Sequence, residues 1–242
     1  MDGFDAERAA AEVADALRAA GTPERAAQEK RYLKSELEFF GVTVPETRRV
    51  VKAAVRARPG LDASQVVTWA VALWRVPVHE RRMAAAELLS LAAPRLSADD
   101  LATVETLLRQ SGTWALVDGI AVDVAGEIAV RDPRAWTVID RWSGDPDFWL
   151  RRSALLSLLR GVRTGQPELA RFTRYAESML GEREFFIRKA IGWVLREISK
   201  REPGWVAGWT ERHVGVMSGV TFREAVRRLP ADEASRLRGL RG

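Results

Sequence analysis

Residues 145–160 read DPDFWLRRSALLSLLR: an Asp-Pro-Asp turn, an aromatic pair (Phe148, Trp149), two arginines (Arg151, Arg152) and then an apolar helical face. Similar segments occur at 46–55 (ETRRVVKAAV), 79–89 (HERRMAAAELL), 185–195 (FFIRKAIGWVL) and 222–229 (FREAVRRL). Aligned on the residue just before the small or apolar run, they place Arg49, Arg82, Arg152, Lys189 and Arg223 in one column, at intervals of 33, 70, 37 and 34 residues. The long interval hides one further member, TWALVDGIAVDVA at 113–125, whose column position is Asp118. A carboxylate stands in a row of cations.

A repeat of this length is the signature of a helical solenoid, in which each helix pair buries its apolar face only by stacking on its neighbours. Stacking lines equivalent positions along one surface. If the second helices form that surface, the column becomes a basic stripe interrupted by one acid, a pattern that fits the phosphates of nucleic acid.

The rest of the chain agrees with an all-α fold. Residues 5–20 form an Ala-rich amphipathic pattern ended by Gly21, so 1–22 holds an N-terminal helix. Thr22-Pro23 starts a second helix, a capping threonine before a first-turn proline, and the pattern carries it through AQEKRYLKSELEFFGV to Gly41. Further helices are predicted from Pro45 to about Arg58, then at about 62–74, 77–92, 97–110, 113–130, 132–142, 145–160, 166–180, 184–200, 202–212 and 218–228, with breaks at Pro59-Gly60, Pro77, Pro94, Ser111-Gly112, Asp132-Pro133, Pro146, Pro167 and Pro203-Gly204. No stretch alternates with period two, so no sheet is expected. Gly126, inside a helical pattern, suggests close helix packing. A single domain over 1–242 is expected, with the arginine-rich tail 230–242 fraying in part.

Composition sets the partners. The chain has 242 residues, 29% charged and 47% hydrophobic, ordinary for a globular protein with a sizeable core. A net charge of +5 and a pI near 10 point to polyanions. The absence of cysteine excludes disulfides and thiolate metal sites. No signal-like segment opens the chain and no apolar run is long enough to span a bilayer, so the expectation is a cytoplasmic, monomeric protein without membrane contact.

Few residues offer chemistry. His79 and His213 lie far apart without a second ligand at metal spacing, and read as surface or inter-repeat residues; no metal site is expected. There is no glycine-rich phosphate loop. Of nine tryptophans, Trp69, Trp74, Trp136, Trp142, Trp205 and Trp209 read as core. Trp114 differs: it lies one helical turn before Asp118 on the same face. Trp193 lies four residues after Lys189, near the column, and Tyr32 precedes the first full repeat in a basic context, EKRYLKS. Aromatic rings beside a carboxylate suit a cationic guest, with cation–π contacts of about 0.5–2 kcal/mol each. On pattern alone, Asp118 serves equally as the salt-bridge partner of Arg152.

Four segments carry a family resemblance: KAIGWVLRE at 189–197, preceded by EFFIR, RYLKSELEFFGVTVPE at 31–46, W-x-x-V-D at 114–118 and WLRR at 149–152. Together they resemble the AlkD family of DNA alkylation repair glycosylases, in register from about residue 25 to 228. The resemblance implies a right-handed superhelical, C-shaped solenoid of HEAT-like repeats whose basic concave face grips duplex DNA. It implies a DNA-3-methyladenine/7-methylguanine glycosylase of base excision repair, acting without metal or cofactor and without flipping the base, and a nucleoid-associated location. Residue by residue, Asp118 matches the catalytic aspartate, Arg152 the active-site arginine, and Trp114 and Trp193 the aromatic pair that brackets the lesion. Tyr32 falls on the N-terminal tyrosine of the same pocket. Arg49, Arg82, Arg188, Lys189 and Arg223 are the expected DNA-backbone contacts. The chain departs from the family at Gly112-Thr113, where a bulkier, aromatic-containing pair is usual. The alternative from another class is a catalytically silent HEAT-repeat protein that binds branched or distorted DNA.

Overall fold

The structure is a computed structural model describing residues 3–242. Its described residues form helices and no strand; Glu38 and Val78 make an isolated bridge. The chain divides into two compact units, one ending at Val124 and one running from Ala125 to Gly242. No linker marks that boundary. It falls inside a π-helical stretch, Ile120–Ala125, in the middle of an apolar helical pattern.

The first unit holds α1 (Ala6–Ala20), α2 (Pro23–Leu33), α3 (Val44–Arg56), α4 (Ala63–Trp74), α5 (His79–Ala92), α6 (Leu101–Gln110) and α7 (Trp114–Gly119). Starts are set by side chains that accept the first free N–H groups: Asp5, Thr22, Thr43 and Asp62, the last in a reciprocal capping box with Gln65. α4 packs on α5 and α1, α3 on α5, and α5 on α7. Their apolar stripes close a core around Leu17, Val51, Trp69, Leu73, Trp74, Leu88 and Leu89, where each fully buried side chain contributes about 1.5–3 kcal/mol.

The second unit holds α8 (Gly126–Arg131), α9 (Ala135–Trp142), α10 (Phe148–Thr164), α11 (Leu169–Met179), α12 (Phe185–Ile198), α13 (Pro203–His213), α14 (Gly219–Ala225) and α15 (Ala231–Arg241). α10 packs on α8, α12 on α10 and α14 on α12. Within each unit, helices carrying successive column residues therefore lie side by side, as the repeat requires. Gly126 is buried on α8, which packs on α10, and a close helix approach is set between α12 and α14 by Gly192. A methyl group there would sit 2.7 Å from Glu224 Cβ and 3.1 Å from the Thr221 carbonyl. Trp69, Trp74, Trp142 and Trp209 are fully buried; Trp136 and Trp205 are half-buried, Trp136 beneath the Arg171 guanidinium at 4.4 Å and Trp205 edge-on to Phe172 at 6.0 Å.

The second helix ends at Leu33, not Gly41: Lys34 adopts a left-handed conformation (φ 49°), and the chain to Thr43 is a loop that buries Phe39 and Phe40. The tail, expected to fray in part, is helical here. α15 buries Ala234 and Leu237; Arg236 pairs with Glu211 and Glu233; and Arg241 donates to the Met217 carbonyl at 2.9 Å while covering the Phe222 ring at 4.8 Å. Among the described residues, no helix is long and apolar enough to cross a membrane.

Candidate functional site

α7 is positioned by Thr113, whose hydroxyl accepts from the Ala115 N–H at 3.4 Å. Trp114 opens the helix and Asp118 lies one turn later on the same face; both are half-buried. Tyr32, near the end of α2, is 71% exposed and meets Trp114 edge-on, ring centroids 6.3 Å apart at 87°. So two aromatic rings and a carboxylate share one part of the first unit. Gly112 has a positive φ (62°), and a methyl group there would meet nothing within 4 Å, so there is open space at Gly112, while Thr113 is buried. The π stretch begins two residues after Asp118. Such one-residue insertions in a helix recur at functional sites.

The basic column is less free than its sequence implies. Arg49 is exposed on α3, doubly hydrogen-bonded to Glu46 at 2.9 and 2.5 Å; that arginine holds the Glu46 carboxyl below its ordinary range. Arg82 lies half-buried over the Trp74 ring at 5.0 Å and donates to the Gln110 carbonyl at 2.6 Å, while the Trp74 indole donates to the Gln110 side chain at 3.0 Å. Burial lowers the pKa of Arg82. In the second unit Arg152 is only 3% exposed; it donates to the Phe186 carbonyl at 2.6 Å and lies 5.7 Å over that ring. Arg82 and Arg152 each reach a carbonyl one repeat onward, so the column staples repeats together as well as presenting charge.

Lys189 is half-buried and pairs with Glu224, which also pairs with Arg196. Burial would raise the Glu224 pKa, but the Lys189 hydrogen bond and the charges of Arg196 and Lys189 hold it below the ordinary carboxylate range. Arg188 donates to the Glu182 carbonyl at 2.7 Å, and Trp193 is half-buried on α12. Arg223 is exposed on α14. Arg151 is committed to structure, with two bonds of 2.9 Å to Glu182 and two more to the Asp145 and Pro146 carbonyls.

Two carboxylates escaped the sequence reading. Glu224 is one; the other is Glu80, only 1% exposed, which accepts the backbone N–H groups of Phe40 (2.9 Å), Gly41 (2.6 Å) and Val42 (3.1 Å). The signal is faint: an acid in the first turn of an otherwise basic helix, HERRM. His79 is not at the surface but buried, stacked on Phe39 at 4.6 Å, and desolvation pushes its pKa down to about 4. His213 stacks on Trp209, with Nε2 3.0 Å from Glu177. Neither joins a metal-ligand set: among the described residues, no three His, Cys, Asp or Glu side chains are placed to hold a metal. A cavity of about 860 Å³ between α1 and the turn after α3 includes none of the candidate residues.

Against known proteins, a family model described as DNA alkylation repair enzyme matches residues 13–229. No curated protein matches the chain. Among solved structures, the chain is similar to a predicted DNA alkylation repair enzyme from Enterococcus faecalis, with 24% identity and a TM-score of 0.76 over 87% of this chain and 97% of that one. It is also similar to AlkD2 from Streptococcus mutans, with 17% identity and a TM-score of 0.58 over 86% of this chain and 99% of that one. A third, smu.31 from Streptococcus mutans UA159, shows 15% identity and a TM-score of 0.51 over 93% and 98%. At these identities the structures share the all-α repeat fold with this chain.

Proposed function

The chain belongs to the DNA alkylation repair enzyme family, and on that footing we propose that it is a glycosylase removing cationic N3- and N7-alkylated purines, such as 3-methyladenine and 7-methylguanine, from duplex DNA. The observation that carries the reading is the carboxylate of Asp118, one turn from Trp114, whose ring meets the exposed Tyr32.

An N3- or N7-alkylpurine already bears positive charge, so it departs as a neutral base without a general acid or a metal. The C1′–N bond breaks and its electron pair leaves with the purine. Positive charge then develops on the sugar, next to the carboxylate of Asp118. Water adds to C1′ and gives its proton to Asp118, leaving an abasic site. An electrostatic contribution of this kind is worth about 3–4 kcal/mol, and the two-part task resembles glycoside hydrolysis. Trp114, Trp193 and Tyr32 are proposed to contact the cationic base, and Arg152 the lesion's sugar-phosphate. Arg49, Arg82, Arg188, Lys189 and Arg223 are proposed to contact the DNA backbone. Many enzymes acting on a base first extrude it. The open setting of Tyr32, with Trp114 and Asp118 only half-buried, favours instead attack at the backbone with the lesion left stacked.

The test is to incubate the purified protein with methylated duplex DNA and quantify released bases by chromatography. Release of 7-methylguanine and 3-methyladenine above spontaneous depurination is expected. Binding without release would leave the silent DNA-binding reading in its place.

A further inference from the structure

We propose that Glu80 is a positioning residue that fixes α2, and through it Tyr32, against Trp114; the catalytic consequence rests on the function proposed above. The inference starts from a helix that lacks the usual means of staying in place. None of the eleven residues of α2 is buried, and none of the first unit's close helix pairings involves it. Helices in proteins are held chiefly by burying an apolar face, and α2 does not.

Its hold comes from the loop that follows it. Glu80, at the start of α5, gathers three successive N–H groups, those of Phe40, Gly41 and Val42. Two flanking bonds fix the same loop to the same helix start: Glu38 N–H donates to the Pro77 carbonyl at 3.1 Å, and His79 N–H donates to the Glu38 carbonyl at 2.8 Å. Gly41 then touches α2 directly. Its carbonyl accepts from Thr22 N–H at 3.3 Å, and Thr22 is the residue that caps α2. Gly41 has φ 80°, and a methyl group on it would collide with the Thr22 carbonyl and with the Ala26 nitrogen at 2.6 Å. The path is continuous: Glu80, residues 40–42, Thr22, α2, Tyr32, Trp114. A buried carboxylate accepts all three N–H groups, whereas a glutamine keeps one acceptor oxygen and sets an NH2 donor against the backbone, leaving at least one N–H unsatisfied. A lone edge-on contact between Tyr32 and Trp114 is far weaker than that set.

Hydrogen exchange decides the physical part without reference to activity. In Glu80→Gln, amide protection in residues 23–42 should fall by about ten-fold or more while that of α10 and α12 stays at wild-type values. Gly41→Ala presses on the same point without touching charge and should do the same. Unchanged protection of α2 in both variants, or an equal loss across the second unit, overturns the proposal. If neither variant folds, wild-type protein still decides: α2 and Phe40–Val42 must exchange with matching protection, and a clearly less protected α2 overturns it.

A mutant cycle tests the link to Tyr32. Glu80→Gln and Tyr32→Ala should each slow excision by about three- to ten-fold, and Glu80→Gln should cost nothing further in the Tyr32→Ala background. Losses that multiply would show that Glu80 does not act through Tyr32. Absence of excision by the wild type would refute the glycosylase reading and leave the exchange result standing.

Discussion

α12 and α14 meet so closely that Gly192 leaves no space for a methyl group, and a buried Glu224 joins Lys189 and Arg196 across the contact. No residue of α2 is fully buried, and it is tied down through a loop held by Glu80. Yet the first region carries the most recognisable segment of the sequence, KAIGWVLRE, while the second, with α7, carries Tyr32, Trp114 and Asp118. The difference teaches that a recognisable segment is shaped by packing as well as by the chemistry it carries. Lysine, glycine and arginine at 189, 192 and 196 share one helix face because α14 must fit there.

The sharpest way to break the comparison is at Asp118. Asp118→Asn keeps size and hydrogen-bonding capacity but removes the charge, and single-turnover excision should slow by about two to three orders of magnitude. DNA affinity should hold or rise and the melting curve should stay near wild type. A large loss of stability with normal excision per folded molecule would make Asp118 a packing residue like those of α12.

Next in size, Gly192→Leu should destabilise the protein by about 1–3 kcal/mol through overpacking, read as a fall in the denaturation midpoint. Ala27→Leu on exposed α2 should stay within about 0.5 kcal/mol of wild type. Similar effects at the two sites would erase the contrast.

His79 tests the anchor of the α2 loop. Burial keeps its imidazole neutral, with a folded pKa of about 4 against an ordinary 6.5. The stability tied to the neutral ring is whole above pH 6.5 and is lost as pH falls toward 4, with a slope approaching about 1.4 kcal/mol per pH unit for one proton. His79→Phe should flatten that part of the stability profile, and an unchanged profile would place the acid sensitivity elsewhere.

Smaller still, Trp114→Ala and Trp193→Ala should each lose about 0.5–2 kcal/mol of preference for cationic adducts while keeping affinity for undamaged duplex. Failure of either variant to fold would return that ring to the core. The finest distinction is between two cations. Arg223→Gln should reduce the magnitude of the salt slope of duplex binding by about one unit, whereas Lys189→Gln, already paired with Glu224, should reduce it less. Equal reductions would mean that the Glu224 pair opens freely.

The helices were legible because prolines and glycines punctuate them and because the column recurs at helical-repeat spacing. The neighbours of Asp118 were legible too, since Trp114 lies one turn away on the same helix. What stayed hidden depends on residues far apart in sequence. Glu80 binds amides 38–40 positions earlier, so LKSELEFFGV reads as helix until that acceptor is seen. The partners of Lys189 and Arg152 stayed out of sight because Glu224 and the Phe186 carbonyl lie about one repeat away. The arginine-rich tail reads as frayed because arginine looks solvated in sequence, although Arg241 is spent on a carbonyl and a ring.

The pairings of α4 with α5, α10 with α12 and α12 with α14 join helices that follow one another closely along the chain. Contacts so local need little loop-closure entropy before they form, which is the condition for fast folding, on the order of microseconds to milliseconds for helical domains. Each unit also closes its own core. During synthesis α1 to α5 can therefore pack before the second unit leaves the ribosome, and folding is expected to proceed from the N-terminus in steps rather than wait for the whole chain.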